Sequence, residues 1–357
     1  MPRCCSVADA VLSCLREDSP AAPGRSVRRY PGSRGPVTHQ GTSIEIIVAD
    51  NAGFCFGVER ALELVMKERE RIRCAQPTGS TASGPPRRSR ARRARPSRRA
   101  HDEPEPARPP IVTLGPLIHN PQVVERLRAE GVEQVRSVSE VAQGTMVIPS
   151  HGISPELVRE ARERGLRLLD ATCPFVARAQ DNVRTLATEG YQVIIVGDRG
   201  HPEVAGLVGA AGGAAVVIQD ESELDDVQLA ARVGLVVQTT QAPARLRAVA
   251  GALAERVREL RAYNTICAAT SQRQEAAVSL ARQVDVMIVV GGKNSANTNR
   301  LRQVCAQVGV ETHHVETAAE LDPAWFAGKS RAGVTAGAST PDWVISDVAE
   351  ALRRIGG

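Results

Sequence analysis

Cys55, Cys173 and Cys267 occupy comparable places in this chain of 357 residues. Each lies in a loop of small and polar residues, and each is followed by apolar positions at helical spacing. These are Val58, Ala61, Leu62 and Val65 after the first, Val176, Ala179, Val183 and Leu186 after the second, and Ala276, Ala277, Leu280 and Val284 after the third. A thiol at a helix N-terminus meets unsatisfied N–H groups and the positive end of the dipole, both of which favour thiolate. Three such thiolates form a donor set for one metal centre. A cubane iron–sulfur cluster usually takes four thiolates, so three leave one iron open to a substrate oxygen as a Lewis acid. Zinc held by three cysteines and a water is the competing centre. The remaining cysteines, at 4, 5, 14, 74 and 305, form no CxxC pair, and no secretory segment is present. A reducing compartment is therefore expected rather than a disulfide framework.

Around these cysteines lie loops that follow β-branched runs and carry histidine, hydroxyl, amide or carboxylate groups. They are Leu117-Ile118-His119-Asn120, Ser150-His151-Gly152, Gly197 to Glu203 with His201 inside it, Gln238-Thr239-Thr240, Gly292 to Asn297, and Thr335 to Ser339. Ligands of open α/β folds bind beyond the carboxyl ends of strands, so the loops are expected to share one pocket. Their chemistry suits a phosphate or diphosphate, held by imidazoles, hydroxyls, an amide and free N–H groups at helix starts. The glycine spacing before Lys293 is not that of a P-loop, which argues against a nucleoside triphosphate. Glu203 becomes a candidate proton donor once the metal centre requires one.

The elements that must position these groups are legible from Ile44 onward. Apolar runs at Ile44–Val48, Ile111–Leu114, Met146–Ile148, Leu166–Leu169, Val193–Val196, Val216–Ile218, Leu235–Val237 and Val286–Val290 have strand length and alternate with amphipathic stretches. That alternation predicts an α/β fold with parallel sheets and crossover helices. The pattern of strand or loop, cysteine and helix recurs three times at a spacing of roughly 100 residues, a weak internal repeat. The expected division is an extension over 1–43, a first α/β unit over 44–171 with an insertion at 75–110, a second over 172–265, and a third with the C-terminal segment over 266–357.

The formal net charge of +5 does not by itself indicate nucleic acid. Residues 1–42 hold six arginines against three acids and residues 75–110 hold nine against three, which leaves the remainder mildly acidic. The arginine tract from Arg87 to Arg99 has no apolar periodicity and reads as disordered. Its alternative use is to hold RNA or a ribosome in a catalytically weak or inactive relative; with aromatic residues at 3%, base stacking has little to work with, and nucleic acid is not the expected partner. The first 42 residues have a loosely transit-peptide-like composition. No apolar run reaches the roughly 18 residues needed to span a bilayer, and a cytoplasmic protein is expected.

Taken together, the ordered strings identify a family resemblance. Gly53-Phe54-Cys55-Phe56-Gly57-Val58, Ile118-His119-Asn120, Ser150-His151-Gly152, Asp170-Ala171-Thr172-Cys173-Pro174 and Gly200-His201-Pro202-Glu203-Val204 are followed by Gln238-Thr239-Thr240, Ile266-Cys267-Ala268-Ala269-Thr270, Asn294-Ser295-Ala296-Asn297 and Val334 to Ser339. From about residue 44 to the end the chain resembles the 4-hydroxy-3-methylbut-2-enyl diphosphate reductases of the non-mevalonate isoprenoid pathway.

The resemblance implies three similar α/β units arranged as a trefoil around a central [4Fe–4S] cluster with one non-cysteine iron, bound by Cys55, Cys173 and Cys267. It implies that His119, His151, Ser295, Asn297 and Ser339 hold the diphosphate with His201 nearby, that Glu203 delivers a proton, and that a hydroxyl of Thr239 or Thr240 positions the substrate alcohol. The implied reaction is reductive dehydroxylation to isopentenyl and dimethylallyl diphosphates, with electrons from a ferredoxin or flavodoxin type donor. The chain departs from the family in three places: Ala296 stands where a second serine is usual, the 75–110 segment replaces a short link, and 1–43 has no counterpart.

Overall fold

The computed structural model describes residues 44–74 and 110–356. The expected extension over 1–43 lies outside the described residues, as does all of the expected insertion except Pro110.

Among the described residues twelve strands form three four-stranded sheets in which every neighbouring pair is parallel. In chain order they are β1 (Glu45–Val48), β2 (Ile111–Leu114), β3 (Val132–Val135), β4 (Thr145–Ile148), β5 (Arg167–Asp170), β6 (Gln192–Val196), β7 (Val216–Ile218), β8 (Arg232–Val237), β9 (Glu259–Ala262), β10 (Val286–Val290), β11 (Glu311–Val315) and β12 (Arg331–Ala336). The sheets run β3-β2-β4-β5, β7-β6-β8-β9 and β1-β12-β10-β11. Parallel strands need long crossovers, and helices cover the faces those crossovers create.

Each helix that follows a cysteine covers the sheet that comes after it. Helix Phe56–Cys74 packs Ala61, Leu62, Val65 and Met66 against Ile111, Leu117 and Val147. Helix Pro174–Thr188 sets Ala179, Val183 and Leu186 on Val193, Ile195 and Val236. Helix Ala268–Ala281 sets Ala277, Leu280 and Ala281 on Met287 and Val289. Each fully buried aliphatic side chain contributes on the order of 1.5–3 kcal/mol, so these stripes fix the direction in which each helix leaves its cysteine.

One strand departs from the expected division. β1, read as part of a first unit over 44–171, pairs with β12 in the third sheet, with Glu45 opposite Arg331 and Val48 opposite Val334. The physical reason is the repeat itself. β5 and β9 are edge strands of their sheets, and each leads into the next cysteine and its helix. β1 plays that part for Cys55, and the edge it extends belongs to the last sheet, so the chain closes on itself. Each cysteine therefore lies on the link between one sheet and the helix of the next.

Candidate active site

The backbone ties the cysteine loops to the pocket loops by three equivalent hydrogen bonds. The N–H of Cys55 donates to Ala338 O (3.1 Å), that of Cys173 to Ser150 O (2.9 Å) and that of Cys267 to Thr239 O (3.0 Å). The acceptors stand in the loops just beyond β12, β4 and β8, and each immediately precedes a residue singled out by the sequence: Ser339, His151 and Thr240. One folding rule thus places a thiol and a pocket group side by side three times.

Gly57 leaves the room in which the thiols approach. A methyl group there would lie 2.7 Å from Cys173 Sγ and 3.9 Å from Cys55 Sγ. The thiols sense one another electrostatically, Cys173 with both others and Cys267 with Cys55. The helix starts supply N–H groups as expected, from Phe175 and Val176 to Cys173 and from Ala269 and Thr270 to Cys267, but burial outweighs them and holds both thiols above the ordinary cysteine range. For Cys173 and Cys267 the expected lowering is thus reversed.

Three soft donors, partly buried and free of disulfides, fit an iron–sulfur cluster. Among the described residues no group of three His, Cys, Asp or Glu side chains is placed to hold a single metal ion. Phe56 and Phe175, one and two residues beyond a cysteine, are the only large hydrophobic side chains exposed among the described residues, at 63% and 41%.

The three loop histidines form one cluster. The ring centroids of His119 and His151 are 5.0 Å apart and stacked, those of His119 and His201 are 5.1 Å apart, and those of His151 and His201 are 6.4 Å apart. Burial depresses all three: His119 below the usual imidazole range, His151 well below it with help from its two neighbours, and His201 to about 4. His201 Nδ1 accepts the Glu203 N–H (3.1 Å) as the N-cap of helix Pro202–Ala210, which leaves the proton of the neutral ring on Nε2.

Both ring nitrogens of His119, Nδ1 of His151, the side-chain amide of Asn297 and the Thr240 hydroxyl are buried without a partner. Buried polar groups are rarely left so, and unpartnered nitrogens on two rings stacked against each other ask for a polar ligand. Ser295 caps helix Ala296–Gln307, its Oγ accepting the Thr298 N–H at 3.3 Å. The loop before it abuts His119, since a methyl on Gly292 would lie 2.7 Å from His119 O. The Ser339 loop abuts the same helix, because a methyl on Gly337 would collide with the Thr298 hydroxyl.

Glu203 is 2% exposed and accepts two hydrogen bonds from one residue, the Thr239 N–H at 2.7 Å and the Thr239 hydroxyl at 2.9 Å. Burial pushes its carboxyl up to about 7; the Thr239 bonds pull the other way and the charge of Asp198 adds to the rise. A buried acid that holds its proton near neutrality is suited to donate one. Of the two candidate threonines, Thr239 is thus committed to Glu203, and Thr240 keeps its hydroxyl unpartnered.

Two buried cations were not legible as site residues. Arg300, on the helix capped by Ser295, reaches Gln241 Oε1 (2.7 Å) and Asp198 Oδ1 (3.4 Å) in the loops after β8 and β6, the second of which leads into the helix that carries Glu203. Arg273 lies on the helix after Cys267 and donates to Gly53 O (2.8 Å) and Ala269 O (3.2 Å). Both occupy helix positions where an arginine ordinarily marks the solvent face, so periodicity gives no signal for them.

Three cyclically linked parallel α/β units, with a cysteine at each link and buried histidines and a buried acid in the loops beyond the strands, are the build of an α/β enzyme. The model of the LytB protein family matches residues 95–353, and the chain belongs to that family. It is 43% identical over 312 residues to the 4-hydroxy-3-methylbut-2-enyl diphosphate reductase of Geobacter metallireducens, covering 87% of this chain and 98% of that one. Identity to the reductase of Pelobacter propionicus is 42%, covering 88% and 98%. A solved structure of (E)-4-hydroxy-3-methyl-but-2-enyl diphosphate reductase, the terminal enzyme of the non-mevalonate pathway, matches at 40% identity with TM-score 0.57 and covers 87% of this chain and 99% of that one. The Plasmodium falciparum reductase structure, at 23% identity and TM-score 0.73 with 87% of each chain covered, shares the fold.

Proposed function

We propose that the chain reductively dehydroxylates 4-hydroxy-3-methylbut-2-enyl diphosphate to isopentenyl and dimethylallyl diphosphates. The reaction breaks the allylic C–O bond, releases water, and takes up two electrons and two protons, one on the leaving oxygen and one on carbon. The observation that carries the reading is Glu203, a buried proton-holding acid, in one pocket system with three thiols and three neutral histidines.

A [4Fe–4S] cluster on Cys55, Cys173 and Cys267, with one iron not bound by cysteine, would supply Lewis acidity and single electrons. The chain's own side chains do the rest. His119, His151 and His201 receive the diphosphate, joined by Ser295, Asn297 and Ser339, and the start of helix Ala296–Gln307 adds its N–H groups. Fixing the diphosphate positions the distant hydroxyl. Glu203 gives its proton to that oxygen, oriented by the Thr239 hydroxyl, and Thr240 is free to touch the substrate. Ala296 leaves one hydroxyl fewer than the family usually has at this point.

Phe56 and Phe175 mark the face where a ferredoxin or flavodoxin type donor would approach the cluster. No helix among the described residues is long and apolar enough to cross a membrane. Neither the geometry nor the relatives support the RNA- or ribosome-binding alternative, whose arginine tract lies outside the described residues.

Anaerobic reconstitution with iron and sulfide, read by visible absorption and by turnover of the allylic diphosphate with a reduced donor, tests the reading. A coloured protein that forms both products is expected. A colourless chain that binds stoichiometric zinc and turns nothing over would overturn it.

A further inference from the structure

Arg273 is 4% exposed, and among the described residues no carboxylate pairs with it. Its hydrogen bonds go to two backbone carbonyls, of Gly53 and Ala269, and its Nε–H is buried with no partner. A buried guanidinium without a counter-charge costs several kcal/mol even after relaxation. The fold retains it nonetheless, on the second turn of the helix that Cys267 begins, with its other arm on the residue two before Cys55. The anionic forms of Cys55 and Cys267 are the groups that favour its charge, against the burial that disfavours it.

We infer that Arg273 is the internal counter-cation of the three-cysteine centre, and that it sets the ease with which an electron enters there. The inference rests on the cluster reading given above. Three thiolates give a cluster site net negative charge, and each added electron makes it more negative. A fixed buried cation beside two of the three sulfurs favours the reduced state, since net charge, hydrogen bonds to sulfur and burial are what set such potentials. Water screens little there, so the effect is not one that surface lysines would reproduce. Arg273 touches neither the pocket histidines nor Glu203 in the hydrogen bonds it makes, so it acts on the centre and not on the substrate.

The same placement gives Arg273 a mechanical part, since it joins the loop of one cysteine to the helix of another. The two parts separate by charge. Arg273→Lys keeps the cation and loses the forked bonds to Gly53 and Ala269, whereas Arg273→Met keeps the bulk and loses the charge.

The test uses the full chain, reconstituted anaerobically, with iron and sulfide per chain measured first and the midpoint potential then read by a reductive titration followed by electron paramagnetic resonance. Arg273→Met is expected to be at least tenfold harder to reduce than wild type, about 59 mV for one electron, and Arg273→Lys to stay close to wild type. Thermal melts of the three chains without iron are expected to show Arg273→Met no less stable than Arg273→Lys, because the uncompensated charge is gone. The inference is overturned if Arg273→Met loads and titrates at the wild-type potential, or if Arg273→Lys falls as far as Arg273→Met. It is equally overturned if Arg273→Met alone fails to fold. A wild-type chain that takes up no iron and sulfide overturns the cluster reading, and the inference with it, before any variant is compared.

Discussion

Thr239 gives Glu203 two hydrogen bonds, 2.7 Å from its N–H and 2.9 Å from its hydroxyl, while its own carbonyl accepts the Cys267 N–H at 3.0 Å. One threonine therefore joins the buried acid to a cysteine loop, and any shift of one is transmitted to the other.

Glu203→Gln keeps that geometry, because an amide can accept from the Thr239 N–H and donate to its hydroxyl. It should load iron and sulfide as wild type does and lose at least a hundredfold in turnover, the scale of a missing general acid. The wild-type rate should fall as pH rises through about 7, where Glu203 loses its proton. The stability effect has the same sign. A carboxyl whose folded pKa is raised from 4.5 to about 7 favours folding below 4.5 and loses that contribution as pH climbs through 7. Wild type should thus lose roughly 3 kcal/mol relative to Glu203→Gln across that window. Denaturant melts at pH 5 and pH 8 read the difference, and parallel pH profiles for the two chains would refute it.

The histidine cluster predicts proton uptake on anion binding. His119, His151 and His201 are held neutral by burial and by one another, and a diphosphate among them reverses the balance in favour of the charged ring. Pyrophosphate should bind more tightly as pH falls from 8 toward 6, with net uptake of protons seen by calorimetry in buffers of different ionisation heat. His119→Ala, which removes two unpartnered ring nitrogens, should weaken binding about tenfold or more, a cost of about 1.4 kcal/mol. Equal heats in all buffers would show that the rings do not take up protons.

The sequence revealed most of the central strands and hid half of the edges. Every apolar run read as a strand is one, and the central ones among them, β2, β4, β6, β8 and β10, are apolar along most of their length because a parallel strand covered on both faces must be. β3 (Val-Glu-Gln-Val), β9 (Glu-Leu-Arg-Ala) and β11 (Glu-Thr-His-His-Val) lie at sheet edges, where one side meets solvent and polar residues are tolerated. β12 is central but built largely of small residues, Arg-Ala-Gly-Val-Thr-Ala, and so presents no apolar run of strand length. Gly333 there is required, since a methyl would collide with Met287 Sδ. The site was legible in its loops because thiols, imidazoles and a carboxylate announce chemistry by type. The inter-unit arginines were not, because their partners are carbonyls and amides as much as 220 positions away.

Arg300 should couple the anion pocket to the acid. It spans from the helix that carries Asn297 to Gln241 and Asp198, and Asp198 in turn raises Glu203. Arg300→Met removes the closer of two charged donors to Gln241 Oε1, leaving Arg245 at 3.4 Å. Asp198 is 38% exposed and regains water, so the loss is modest, on the order of 1–2 kcal/mol, or a melting temperature lower by a few degrees. The informative readout is the pH profile. With Arg300 gone, the negative charge of Asp198 acts on Glu203 uncompensated, and the alkaline limb of turnover should move to higher pH. An unmoved limb with a lowered melting temperature would confine Arg300 to a structural role.

Gly57→Ala should separate the cluster site from the stability of the chain. Gly57 is buried in the first turn of helix Phe56–Cys74, where alanine is intrinsically favoured over glycine by roughly 1 kcal/mol. The nearest atoms that stand against it belong to the cysteines, since the added methyl lies 2.7 Å from Cys173 Sγ and 3.3 Å from Cys173 Cβ. In the chain without iron the Cys173 side chain can turn away, so the variant should melt within about 1 kcal/mol of wild type. Bound to a cluster, the sulfur has no such freedom, and iron and sulfide uptake should fall well below wild type while pyrophosphate binding at the histidines is kept. Full loading of Gly57→Ala would mean that Cys173 points elsewhere in the working enzyme, and the three-thiol geometry would have to be redrawn.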